Sequence, residues 1–201
     1  MKTRDRLSML VMGPLLVSWV LVWGRSLIAG PEELGTKVAE FRLADTAGRI
    51  HSLSQYSGQI VVLSFWAFKC PVSLSYDERL GALQKKYKSA GVVVLAVDSN
   101  ANETPAEIRA NAANLKLPFP VLLDEDGSLA ERLKAEQTPS LFIIDGRGIL
   151  RYRGSLDNNK KPGEGGRAAY AEMGLEDILA NRPLSEPETR AIGCPIRRRA
   201  N

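Results

Sequence analysis

Histidine and cysteine are nearly absent from this chain of 201 residues, which has one of the former, His51, and two of the latter, Cys70 and Cys194. No Ser-His-Asp arrangement stands out, and a lone imidazole offers no histidine cluster for a metal. Two thiols can make at most one bridge within the chain. A Gly-rich phosphate cradle and internal repeats are also missing. The excess of basic over acidic residues is small as well: residues 1–30 hold four of the 27 basic and one of the 23 acidic residues, which leaves 23 against 22. Much of the remaining basic excess is the terminal Arg197-Arg198-Arg199, a solvated tail or a contact for anionic headgroups, so a nucleic-acid face is not indicated. Asp124-Glu125-Asp126-Gly127 lacks the glutamate that closes a calcium loop and reads as a turn into the next helix. His51 reads as a strand-surface residue. No metal and no organic cofactor are expected.

The rest is ordinary in composition, 44% hydrophobic and 25% charged, enough for one core and one domain. Lys2, Arg4 and Arg6 precede an uncharged, mostly apolar run from Leu7 to Gly24, a basic region followed by a hydrophobic one. That run is about as long as the shortest spanning helices, Trp19 and Trp23 stand where interfacial anchors sit, and no clean Ala-x-Ala site follows. Residues 1–30 therefore read as a signal peptide or N-terminal membrane anchor, the anchor favoured. The rest of the chain is then expected outside the cytoplasm, on the periplasmic or cell-surface side, where disulfides persist. Residues 31–37 read as a linker.

Phe41-Arg42-Leu43 and Ile50 to Leu53 flank a turn and predict a β-hairpin. Ile60 to Ala67 is a continuous apolar run, a strand buried on both faces. Tyr76, Leu80, Leu83 and Tyr87 recur with a helical period that Gly91 closes. A strand over Val92 to Val97 follows, then a helix whose Thr104, Pro105 and Glu107 form a capping box. A short strand at Val121 to Leu123, a helix at Ser128 to Leu133 and a hairpin of Leu141 to Ile144 with Ile149 to Tyr152 come next. Residues 157–166 read as a polar loop, Arg167 to Leu179 as a last helix and residues 183–201 as an irregular tail carrying Cys194. Alternating strands and helices indicate an α/β domain with a mixed central sheet and flanking helices, spanning residues 38–182.

The stretch Ser64-Phe65-Trp66-Ala67-Phe68-Lys69-Cys70-Pro71-Val72-Ser73 ends the first buried strand at a cysteine that opens a helix. There, unpaired backbone NH groups favour a thiolate. Lys69 adds a positive neighbour, Pro71 suits the first turn, Ser73 lies one turn on and within reach of the sulfur, and Trp66 packs beneath the loop.

Together with "VVLSFWA" running into Cys70-Pro71 and "QTPSLFIID" with Thr138-Pro139, this stretch resembles the thioredoxin-like superfamily. The likeness is to the exported redoxin branch, which includes membrane-tethered thiol-disulfide oxidoreductases of bacteria and redoxins similar to alkyl hydroperoxide reductase and thiol-specific antioxidant. The resemblance implies a three-layer fold with an N-terminal hairpin and a cis Pro139 beside the reactive sulfur, shaping a substrate groove. Where the family has a second cysteine stands Ser73, and Ser64 replaces the acid often found six residues before the nucleophile. A resolving thiol must then come from elsewhere. About thirteen residues separate Ala180 from Cys194 and span up to roughly 40 Å, against a radius of gyration near 15 Å for the folded body. Cys194 is within reach as resolving partner. A free tail thiol or a bond to another chain stays open.

Rival chemistries fit less well. A peroxiredoxin wants a proline and a hydroxyl where Leu63 and Ala67 stand, which leaves at most a slow thiol peroxidase, and a copper-delivery protein wants a cysteine where Leu74 stands. A non-catalytic module holding clients beside Pro139 is the other class. The expected function is thiol-disulfide exchange on protein or small-molecule disulfides, with an electron partner.

Overall fold

The computed structural model describes residues 31–158 and 169–199. The segment read above as signal or anchor, residues 159–166 of the polar loop and the expected start of the last helix at Arg167 lie outside the described residues. Among the described residues no helix is long and apolar enough to cross a membrane.

A hairpin of β1 (Arg42–Ala44) and β2 (Ile50–Ser52) opens the fold. Its turn is tied by Asp45, which accepts the backbone NH groups of Ala47 and Arg49. His51 is not the surface residue expected. Only 8% exposed, it is pinned between Asp45 Oδ2, 3.0 Å from Nε2, and the Tyr56 hydroxyl, because the turn at Leu53–Tyr56 folds back over that face of the hairpin.

Strand β3 (Ile60–Phe65) is buried at every position. The chain then forms α1 (Pro71–Leu74), α2 (Asp77–Tyr87), β4 (Val92–Asp98), α3 (Pro105–Leu115), β5 (Val121–Leu123), α4 (Ser128–Arg132) and β6 (Gln137–Thr138). After these come β7 (Ser140–Ile144), β8 (Leu150–Gly154), α5 (Tyr170–Leu179) and β9 (Cys194–Pro195). The helix expected to open at Cys70 is thus split into two. The capping box of Thr104 and Glu107 is formed, and Gly91 takes the left-handed conformation, φ 77°, that ends the turn after α2. Asp124 and Asp126 serve the turn into α4 by accepting the backbone NH groups of Leu129, Ala130 and Ser128.

The sheet runs β5-β4-β3-β7-β8, parallel on one side of β3 and antiparallel on the other. Because side chains alternate across a strand, Val62, Val94, Ile143 and Tyr152 meet α2, α3 and α5, while Leu63, Phe65, Leu95 and Phe142 meet α4 and the segment around Val38 and Phe41. This is the thioredoxin-like three-layer arrangement. Parallel β3 and β4 both end toward the Cys70 turn. The tail carries a short strand, β9, which pairs with β6.

Ser64 sits in the middle of this sheet between Ala96 and Leu141, fully buried, and its hydroxyl has no hydrogen-bond partner among the described residues. A buried unsatisfied hydroxyl costs about 1 kcal/mol or more. Ser64→Ala should therefore raise the midpoint of thermal unfolding by a few degrees. A fall of several degrees would show that the hydroxyl has a partner.

Candidate active site

At the carboxyl end of β3 the backbone turns through Ala67, Phe68 and Lys69 into Cys70, which caps α1 in an extended conformation with Pro71 in the first turn. The turn is held by side chains. Ser73 Oγ accepts the NH of Ala67 at 3.1 Å, and Glu103 accepts those of Phe68 and Lys69 at 3.1 and 2.9 Å. Ser73 thus supports the turn and does not bond the sulfur. Lys69 directs its ammonium to the Asn102 carbonyl, to Glu107 at 3.5 Å and over the Phe68 ring, so its charge is engaged at the start of α3. Trp66 is fully buried, its indole NH donating to Asp77, whose carboxyl burial pushes up to about 6. Because α1 is only four residues long and ends before α2 begins, the dipole at Cys70 is that of one turn.

Cys70 is disulfide-bonded to Cys194, 124 positions on in sequence, with the two Cα atoms 5.9 Å apart. The sulfur of Cys70 lies 3.1 Å from the carbonyl oxygen of Thr138, the residue that precedes Pro139 through a cis peptide bond. Both Thr138 and Pro139 are buried. The tail reaches this point in stages. Thr189 donates its NH to the Arg153 carbonyl, and its hydroxyl meets Tyr152 and the NH of Ser155. Cys194 then pairs antiparallel with Thr138 and Pro195 with Gln137. Beyond the bridge, Ile196 enters the core, and Arg197 bonds the loop after β4 through its own backbone. A cleft of about 210 Å³ opens beside the bridge between Lys69, Glu103 and Arg197. That is smaller than most pockets for drug-sized ligands and suits an incoming side chain. Among the described residues no group of three or more His, Cys, Asp or Glu gathers as a metal site.

Sequence reasoning missed the acids here. Asp98 closes β4 and is 2% exposed, with one oxygen accepting from Asn100 and the other without a hydrogen-bond partner among the described residues. Burial first, and the neighbouring Glu103 carboxyl second, push the Asp98 carboxyl up to about 9. Asp98 is therefore protonated near neutrality, behind the loop that carries Cys70. The available signal was an acid ending a buried strand that must run parallel to the Cys70 strand.

This carries a pH dependence. In the unfolded chain Asp98 ionises near its ordinary value of 3.8, whereas the folded protein keeps the proton up to about 9. The folded state binds more protons throughout that window, so this contribution to stability is lost as pH rises. Asp98→Asn, a neutral isostere, should gain stability relative to wild type progressively between about pH 5 and pH 9 in urea titrations of the oxidised protein. Parallel curves would show that Asp98 ionises normally.

Residues 34–153 match the AhpC/TSA family. The chain is 30% identical over 118 residues to the thiol-disulfide oxidoreductase ResA of Geobacillus kaustophilus, covering 59% of this chain and 67% of that protein. To the thiol:disulfide interchange protein DsbE of Vibrio cholerae it is 30% identical over 131 residues, 64% of this chain and 68% of that one. Among solved structures, a hypothetical protein of Sinorhizobium meliloti 1021 superposes with a TM-score of 0.75 at 27% identity, over 84% of this chain and 96% of its own. Matched by that family over residues 34–153, more than half of its length, the chain belongs to the AhpC/TSA family.

Proposed function

We propose that this protein is a thiol-disulfide oxidoreductase in which Cys70 is the nucleophile and Cys194 the resolving thiol. The observation that carries the reading is the Cys70–Cys194 bridge lying against Thr138 and cis-Pro139. In the reduced protein the Cys70 thiolate attacks a substrate disulfide RS–SR′. A Cys70–SR bond forms and R′S⁻ leaves. The Cys194 thiolate then attacks Cys70 Sγ, making the bridge seen here and releasing RS⁻, so two electrons pass from the protein to the substrate. The steps reverse when the oxidised protein meets a dithiol. A thiol or dithiol partner completes the cycle, and no metal or organic cofactor takes part.

The surroundings act on Cys70 in opposite senses. The turn at α1 favours the thiolate, while the Thr138 carbonyl would accept a hydrogen from the thiol and so favour the protonated form. Glu103, by holding two NH groups of the preceding turn, sets where the sulfur sits. We place the reaction outside the cytoplasm, with residues 7–24 as anchor, on the basic and apolar pattern of the first 24 residues. The peroxidase alternative gains nothing at Ala67, which offers no hydroxyl to a peroxide.

Insulin or a small disulfide, with dithiothreitol as electron source, tests the reading. Cys70→Ser should lose all turnover. Cys194→Ser should accumulate mixed disulfides on Cys70, visible by mass. Identical traces for wild type and both variants would contradict the proposal and favour a binding module.

A further inference from the structure

The tail does more than deliver a sulfur. Residues 193–197 lie along the groove as an extended segment gripped from two sides, by backbone on one and by backbone and the Asn100 side chain on the other. On one side β6 pairs with Cys194 and Pro195, and the Ile196 NH donates to the Glu136 carbonyl at 2.8 Å. On the other, the Ala101 NH donates to the Arg197 carbonyl at 2.7 Å and Asn100 Oδ1 accepts the Arg197 NH at 3.1 Å. Such a clamp reads an extended chain and its direction, and it is indifferent to most side chains.

Two positions are not indifferent. At Gly193 a Cβ would fall 2.1 Å from the Thr138 carbonyl oxygen and 2.6 Å from its carbon, both rigid backbone atoms. Only glycine fits before the cysteine. Two residues after it, Ile196 is 7% exposed in the core layer that holds Phe65, Leu129 and Ala135. Pro195 between them is exposed, so any residue suits that place.

Resting on the exchange reading above, we infer that the tail is a built-in substrate mimic, and that the client is an extended polypeptide segment of the form Gly-Cys-any-aliphatic, which takes the place of residues 193–196 beside Thr138 and cis-Pro139. Client and tail cannot both lie opposite Thr138. Once the bridge is reduced the tail remains tethered and competes at an effective concentration on the order of millimolar. In the resolving step it displaces the client strand as Cys194 attacks Cys70 Sγ, so bond closure and client release coincide.

The test uses full-length Cys194→Ser and a synthetic copy of residues 190–197 whose cysteine is activated as a mixed disulfide with thionitrobenzoate. The Cys70 thiolate attacks the peptide sulfur, the Cys70–peptide bond forms, and the coloured thionitrobenzoate leaves. Peptide copies carrying Gly193→Val or Ile196→Asp should react roughly tenfold to a hundredfold more slowly than the parent. Full-length Cys194→Ser/Ile196→Asp, with its own tail weakened, should react faster with the parent peptide. Ellman's reagent, which needs an open sulfur but no groove, should react with both proteins and should not discriminate as the peptide series does. If Ellman's reagent reacts and all peptides react alike, the substrate-mimic inference falls and the exchange reading stands. If Cys70 fails even with Ellman's reagent, the exchange reading itself falls.

Discussion

One sulfur–sulfur bond, joining residues 124 positions apart, organises the functional end of this protein. It draws the last described segment across the carboxyl edge of the sheet and sets Cys194 opposite Thr138. It also covers Cys70, which is 1% exposed. On the chain-entropy model, closing so long a loop stabilises the folded state by about 4 to 5 kcal/mol. Reduction removes that contribution and leaves the tail held by the short β6–β9 pairing, the Thr189 contacts, Ile196 and the Arg197 backbone bonds to Asn100 and Ala101. Redox state and tail docking are therefore one linked equilibrium.

A second consequence concerns charge. The central strand carries Ser64, whose buried hydroxyl has no hydrogen-bond partner among the described residues and does not ionise in the ordinary pH range. Two of the buried carboxyls stand at the end of β4 and in the loop after it, Asp98 behind the site and Glu103 against the turn that carries Cys70. Glu103 makes its contribution through backbone NH groups. That arrangement lets the loop before the nucleophile be positioned from α3's side of the fold while the cleft beside the bridge stays small.

Much of this was legible in the sequence because it follows from local rules. Apolar runs marked β3 and β4, a capping box marked α3, and Val121–Leu123 is the strand β5 at those same residues. The apolar run put Cys70 at a strand end, and chain length put Cys194 within reach of it. What local patterns do not contain is pairing between distant segments. The β6–β9 register, the close seat of Gly193 on Thr138 and the path of the tail over β8 depend on contacts across the fold. The same holds for His51, whose burial comes from Tyr56 and Asp45 closing on it, and for Asp98, whose surroundings are assembled by two parallel strands. The split between α1 and α2 was hidden because Tyr76, Leu80, Leu83 and Tyr87 all lie after the break and report only the period of α2.

The most direct test of the central claim is peptide mapping of the full-length protein equilibrated in glutathione redox buffers, acid-quenched and alkylated, then digested without reductant. The account predicts that the segments bearing Cys70 and Cys194 are recovered joined under oxidising conditions. They should separate together on reduction as a two-electron couple, with the oxidised-to-reduced ratio changing tenfold per about 30 mV. Recovery of the two cysteines as independently alkylated thiols across the whole range would contradict it.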